Sequence, residues 1–306
     1  MRITRRHLQI SLGLLWLLDG ALQCQPIMFS REFTRQILAP ASVGQPVALL
    51  EPFRVMETLV AAHPALANVT FALIQILLGL GLVARRSSRP VLGASIAWAL
   101  CVWIVGEGLG GLTTGATLFT GAPGAALLYA VVAGLAWPSR ERGGDDRPSW
   151  LALPVWCTLW LLGAGLQLVN GNNSPSSVTM GLRDAQSLAP GWIGEIDQYL
   201  VGLRLPNWTG AGVIALYVLV AIWALMPGWT RQTSLAIGIL LALTSWFLFQ
   251  GLGDLTSGRS TDPNSGPLII LLALAVIGAH ARVVKHLPST TRASSEPMAG
   301  AHLVSS

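Results

Sequence analysis

Two acidic residues fall where acids are costly. Asp19 lies about eleven residues into an apolar stretch that opens near residue 8. At a helical rise of ~1.5 Å per residue that is ~17 Å deep, near the middle of a bilayer. Glu107 lies seventeen residues past Pro90, toward the outer third of another apolar stretch. A charged side chain at mid-membrane costs ~2.5–3.5 kcal/mol on insertion scales, so such a residue must face protein or water and is a candidate for function. A carboxyl shielded from water favours its protonated form, which suits proton exchange or hydrogen bonding to a quinone-like carbonyl. The competing reading is a hydrogen bond that only holds helices together.

Other polar and aromatic residues share this setting. Trp103, Glu107 and Gly111 are spaced to share one helical face, and Trp246, Gln250 and Asp254 repeat that pattern further on. Gln23, Gln167 and Gln250 read as structural hydrogen-bonding groups inside apolar segments. Asp19, Glu107, Gln23, Gln167, Gln250, Asp254, Trp103 and Trp246 together form the candidate polar pocket. The Gly106–Gly115 run lacks the Lys-Ser/Thr of a phosphate loop and reads as close helix contact through Gly106-x-x-x-Gly110 and Gly111-x-x-x-Gly115. Asp262-Pro-Asn264-Ser-Gly266 holds fragments of a calcium loop without its closing Glu, and reads as a turn. His7 and His280 fall near span ends with no ligand spacing, and Cys24, Cys101 and Cys157 form no CxxC, so neither a metal site nor a disulfide framework is expected.

The elements that would position these residues are membrane helices. Hydrophobic residues make up 52% of the 306-residue chain, charged residues 11%, and mean hydropathy is +0.59. A water-covered domain carries about a quarter charged residues. Eight apolar stretches, at about 8–28, 65–84, 90–112, 122–137, 150–170, 209–227, 233–254 and 267–284, approach the ~20 residues needed to span. The net charge of +5 resides in Arg-rich loops rather than in a stripe, which argues against nucleic acid. Thirteen basic residues alternate onto one side of the predicted spans and six onto the other. The positive-inside rule then puts both termini in the cytoplasm. Eighteen of the nineteen basic residues are Arg, as a GC-rich bacterial genome would give.

The stretch at 8–28 also resembles a secretion signal ending at Cys24, but its pattern recurs far down the chain. Trp16-Leu-Leu-Asp19-Gly-Ala-Leu-Gln23 returns as Trp160-Leu-Leu-Gly163-Ala-Gly-Leu-Gln167. Leu38-Ala39-Pro40 returns as Leu188-Ala189-Pro190, and Trp103–Gly115 aligns without a gap on Trp246–Gly258. Three matches in one order predict a tandem duplication of a four-helix unit in parallel orientation. The fold expected is all-α, with a first unit at 1–138, a cytoplasmic linker at 139–149, a second unit at 150–286 and a disordered tail at 287–306. Each unit has a long outer segment, 29–63 and 171–208. In the first, Phe53, Met56, Leu59 and Val60 are spaced as an interfacial helix, and the twelve Trp suggest an interfacial belt. The duplication weighs on the acids: Glu107 pairs with Gln250, which keeps the shape, and Asp19 pairs with Gly163, which keeps nothing.

Leu12-Gly13-Leu14-Leu15-Trp16-Leu17-Leu18-Asp19-Gly20 resembles the first helix of DoxX/DoxD-type membrane proteins, and the four-span order of each half, about 8–137 and 150–284, is similar to that family's. The family includes the small subunit of thiosulfate:quinone oxidoreductase and partners of membrane redox complexes. The resemblance implies an accessory, quinone-linked role beside other redox subunits in a bacterial plasma membrane. The tandem duplication and the lack of a cysteine pair depart from it, and no catalytic motif is present. A proton-coupled small-molecule transporter and a ligand-free scaffold in the bilayer are the alternatives.

Overall fold

Apolar runs bounded by Pro, Gly and Arg should form helices, and a computed structural model describes residues 3–84, 88–138 and 146–280. Among the described residues all regular structure is helical. The calls at Arg85 and Arg86, in most of the linker and in the tail after 280 lie outside them.

The first helix, Arg5–Leu22, starts at a capping box in which Thr4 accepts from the His7 amide. Short turns between 26 and 42 lead to helix Val47–Ala62, and Pro64 opens helix Pro64–Val83. Helices Ser88–Val105 and Ala125–Leu135 complete the first half. The second half runs Ala152–Leu168, Pro175–Gln186, Gly191–Val201, Thr209–Leu225, Trp229–Thr244 with a π-helical turn to Phe249, and Ser265–His280. Helix 5–22 packs along helix 64–83, and helix 88–105 along 125–135. In the second half 152–168 packs along 209–225, and 229–244 along 265–280. Helices 125–135 and 265–280 also pack on each other, and most of their residues are buried.

Two helices, Pro64–Val83 and Trp229–Phe249, are long and apolar enough to cross a membrane, with mean hydropathies of 2.1 and 1.6. Only 33% and 28% of these windows is buried, so their leucines mostly face outward. Five apolar helices of 10–17 residues accompany them. Arg6 donates to the carbonyls of Leu82 (2.7 Å) and Val83, and Arg231 to those of Ala224 (2.7 Å) and Leu225 (3.4 Å). Each thus satisfies the orphan carbonyls and negative dipole end of a neighbouring helix.

Three details differ from the sequence reading. The third apolar stretch leaves the helix at Val105 rather than continuing to 112, and the seventh leaves it at Phe249 rather than 254. Glycine is the cause: Gly108, Gly110 and Gly111 have φ of 58°, 61° and 72°, and Gly251 and Gly253 have φ of 52° and 72°. These glycines turn the chain back instead of bringing helices together, so Trp103, Glu107 and Gly111 do not share a helical face. Tryptophan also divides in two. Trp150, Trp208 and Trp229 are exposed, whereas Trp16, Trp156 and Trp160 are core residues. Finally, the face of helix 47–62 is buried at Phe53 and Val60, but Leu59 is exposed.

Candidate functional site

Helices of the first half line most of a partly open cavity of about 100 Å³. Helix 5–22 supplies Trp16, Asp19 and Gln23, whose three- and four-residue spacing puts them on one face. Helix 64–83 supplies Phe71 and Gln75, and helix 88–105 adds Trp98, Cys101, Val102 and Val105 at the same periodicity. Helix 125–135 contributes Ala126 and Tyr129. The outer segment closes one side with Phe33, Ile37, Leu38 and Met56. Thr261 and Asp262 come from the second half, on the loop before helix 265–280. Trp16 and Tyr129 lie ring to ring at 4.4 Å, and Phe71 stands 5.6 Å from Trp98 and 6.4 Å from Phe33. The walls are therefore aromatic.

Set into these walls are polar atoms without hydrogen-bond partners. They are Asp19 Oδ1, Gln23 Oε1, Gln75 Oε1, Glu107 Oε2, Trp98 Nε1 and the Tyr129 hydroxyl. Asp19, Gln23 and Gln75 are 1%, 4% and 5% exposed. Leaving a buried polar group unpaired costs ~1–3 kcal/mol, and folded chains keep few of them. Six opening on one small cavity mark a place organised to receive a polar guest. Its acids are Asp19, Glu107 and Asp262; Asp262 and Glu107 act electrostatically on Asp19, and the Tyr129 hydroxyl stands close enough to donate to the Asp19 carboxyl, leaving Oδ1 open. Among the described residues, no Arg, Lys or His lines the cavity.

Local sequence explains how Glu107 reaches this site. The Glu107 amide donates to the Val102 carbonyl (2.9 Å) as the helix unwinds, and residues 108–111 then all take positive φ. The chain reverses, so Glu107 Oε1 accepts from the Ala126 amide (2.9 Å) in the first turn of helix 125–135. That helix has no side-chain cap of its own, and Glu107 satisfies one of its orphan donors. Gly124 makes the room: a Cβ there would lie 2.3 Å from Glu107 Oε2. Trp103 Nε1 fastens the turn by donating to the Pro123 carbonyl at 2.7 Å, and in the second half Trp246 Nε1 donates to the Pro263 carbonyl, also at 2.7 Å.

Asp19, Gln23 and Glu107 are thus brought to one cavity, and Gln167, Gln250, Asp254, Trp103 and Trp246 do not line it. Gln167 donates to the Asn172 carbonyl beyond its helix. Gln250 Nε2 donates to Phe119 O (3.2 Å), Ser245 Oγ (2.9 Å) and Ser265 Oγ (3.0 Å). Asp254 sits in the second turn at φ 57°.

Sequence reasoning missed Gln75, Trp98, Tyr129 and Asp262. Gln75 was within reach, because a polar side chain in the middle of a 20-residue apolar stretch meets the same criterion as Asp19. Asp262 does form a turn: its Oδ1 accepts from the Asn264 amide (2.7 Å) and its Oδ2 from Thr261 Oγ1 (3.0 Å). That turn also delivers the carboxyl to the cavity of the other half, where burial raises its pKa above the ordinary carboxylate value.

No protein-family model, curated protein or solved structure matches the chain.

Proposed function

We propose that this is a multi-pass membrane protein of eight spans in two parallel four-helix units, both termini cytoplasmic, whose first unit binds a small molecule and exchanges protons with it. The two long apolar helices, the Arg distribution and the equivalent Trp–Pro turns of the two halves support the architecture. The functional reading rests on one observation: Asp19, Glu107 and Asp262 share an aromatic-walled cavity with no basic residue among its described lining. Three carboxyls lining one cavity, one of them fully buried, do not readily all ionise unless something positive joins them. Held as acids they are proton donors, and a bound ligand changes that balance. This favours a proton-coupled small-molecule transporter.

A quinone-linked accessory subunit, working with other membrane redox subunits, is the second reading. Trp98 Nε1 and the Tyr129 hydroxyl favour it, because unpaired donors in an aromatic slot suit the carbonyl oxygens of a quinone ring. Purification in mild detergent followed by extraction separates the two. Stoichiometric quinone, lost in Asp19→Asn, supports the redox reading. Ligand-driven proton movement in proteoliposomes without bound quinone supports transport. Neither result, with both Asp19→Asn and Glu107→Gln silent in growth, leaves the scaffold.

A further inference from the structure

We infer that the cavity selects a small organic cation, a protonated amine with an apolar or aromatic body, and that Asp19 is its charge partner. This rests on the reading of the cavity as a ligand site and names the class of ligand. Asp19 Oδ1, Gln23 Oε1, Gln75 Oε1 and Glu107 Oε2 are acceptors, against Trp98 Nε1 and the Tyr129 hydroxyl as donors. An ammonium group brings up to three N–H donors and a positive charge, and accepts nothing. An anion would meet two donors and three acids, and a neutral polyol would leave the acids uncompensated.

The walls fit the same class. Trp16, Tyr129, Phe71 and Trp98 line the cavity, and a cation over the face of such a ring within about 6 Å gains ~0.5–2 kcal/mol, more as water is excluded. Size limits the body. An engineered cavity of about 150 Å³ holds benzene, so one of about 100 Å³ takes an amine no larger than one small ring or short chain. Metal ions fit less well: among the described residues no three His, Cys, Asp or Glu side chains are grouped to hold one.

Geometry singles out Asp19 among the acids. Glu107 Oε1 is engaged by the Ala126 amide, and both Asp262 oxygens by Asn264 and Thr261. Asp19 is 1% exposed, keeps Oδ1 unpaired and lies one helical turn from Trp16. The titratable groups facing it are Glu107, Tyr129 and Asp262, with Cys101 also on the cavity wall. The outer segment and helix 64–83 contribute only Phe, Ile, Leu, Met and Gln to that wall. Binding then proceeds as a balanced exchange. The ammonium ion enters with its charge, the Asp19 carboxyl gives up its proton to solvent, and an ammonium–carboxylate pair remains. One proton leaves per cation bound, so affinity weakens as pH falls.

The test uses the full chain in detergent, isobutylamine as probe, and isobutanol and isobutyrate as neutral and anionic controls. Intrinsic tryptophan fluorescence reports occupancy, because Trp16 and Trp98 line the site. The amine should bind at least tenfold more tightly than either control. It should release close to one proton in lightly buffered solution, and lose up to tenfold in affinity per unit of acidification. Asp19→Asn should lose at least tenfold in amine affinity and abolish the release. Proton release from the unmodified protein does not depend on how that variant folds. Equal binding of isobutanol, or amine binding without proton release, overturns the cation assignment and leaves the ligand-site reading standing. Failure of the amine, both controls and a benzoquinone probe overturns both.

Discussion

After Trp103 and after Trp246 the chain makes the same turn. Residues 108–111 have φ of 58°, 57°, 61° and 72°, and residues 251–254 have 52°, 58°, 72° and 57°. Each indole donates to a proline carbonyl at 2.7 Å. Inside that shared frame the halves diverge. Where the first half has Asp19, the second has Gly163, and a Cβ there would lie 3.1 Å from Leu118 and 3.2 Å from Tyr217. Phe119 stacks on Phe249 at 4.7 Å and meets Tyr217 at 5.6 Å, so aromatic rings fill the second interior. The exchange is reciprocal. Leu118 and Phe119 reach the second half from a loop of the first, while Thr261 and Asp262 reach the first half from a loop of the second. One loop carries a ring and closes a core. The other carries a carboxyl and completes a cavity.

The frame should be the part least tolerant of change. A Cβ on Gly110 would lie 2.0 Å from the Pro123 carbonyl oxygen, and one on Gly253 would lie 2.6 Å from Pro263. Both positions need positive φ, where an L side chain adds strain of ~1–3 kcal/mol. Gly110→Ala should cost about 3 kcal/mol or more, which at about 2–4 °C per kcal/mol lowers the melting temperature by roughly 6–12 °C. Gly253→Ala should follow closely behind. Thermal unfolding in detergent that finds Gly253→Ala silent and Gly110→Ala severe would break the equivalence of the two turns.

Phe119 probes the difference between the interiors. It is partly exposed, so Phe119→Ala should cost about 2–4 kcal/mol, toward the low end of the usual range for a buried ring. The space it leaves lies among Tyr217 and Phe249, and an apolar space of that kind binds small apolar molecules. Benzene should therefore raise the melting temperature of Phe119→Ala and not that of the parent. No loss of stability in the variant would mean that Phe119 does not fill the second half.

Asp19, Gln23 and Glu107 were legible in the sequence because a polar residue in an apolar run is conspicuous whatever the fold. The helices were legible for the same reason, since composition alone demands an apolar exterior. The path of 106–115 was not. Trp103, Glu107 and Gly111 have helical spacing, and only backbone geometry shows that the glycines turn the chain back. Asp262 was the hardest to find, because its place depends on a loop crossing between halves, a contact that no local pattern encodes. Tyr129 and Trp98 look like ordinary aromatic residues of apolar helices until the cavity they line is seen.

The smallest expected effect separates the outer segments. In the second half, Asp197 on helix Gly191–Val201 is fully buried and neither carboxyl oxygen has a partner. No Asp or Glu of the outer segment 29–63 is buried as a residue. Burial raises the Asp197 pKa to about 6, from an ordinary value of 3.8. The folded state thus holds its proton more tightly than the unfolded chain does. Asp197 imposes no penalty below about pH 4, and its ionisation progressively destabilises the fold as pH rises through about 6. The melting temperature should fall by about 4–8 °C between pH 4 and pH 7 from this residue alone, as the roughly 2 kcal/mol of a two-unit shift over that range would give. Asp197→Asn cannot ionise and should remove that part of the slope. A pH profile identical in Asp197→Asn and the parent would mean that water or a neighbouring group stabilises the ionised carboxylate, and the two outer segments would then not differ in this respect.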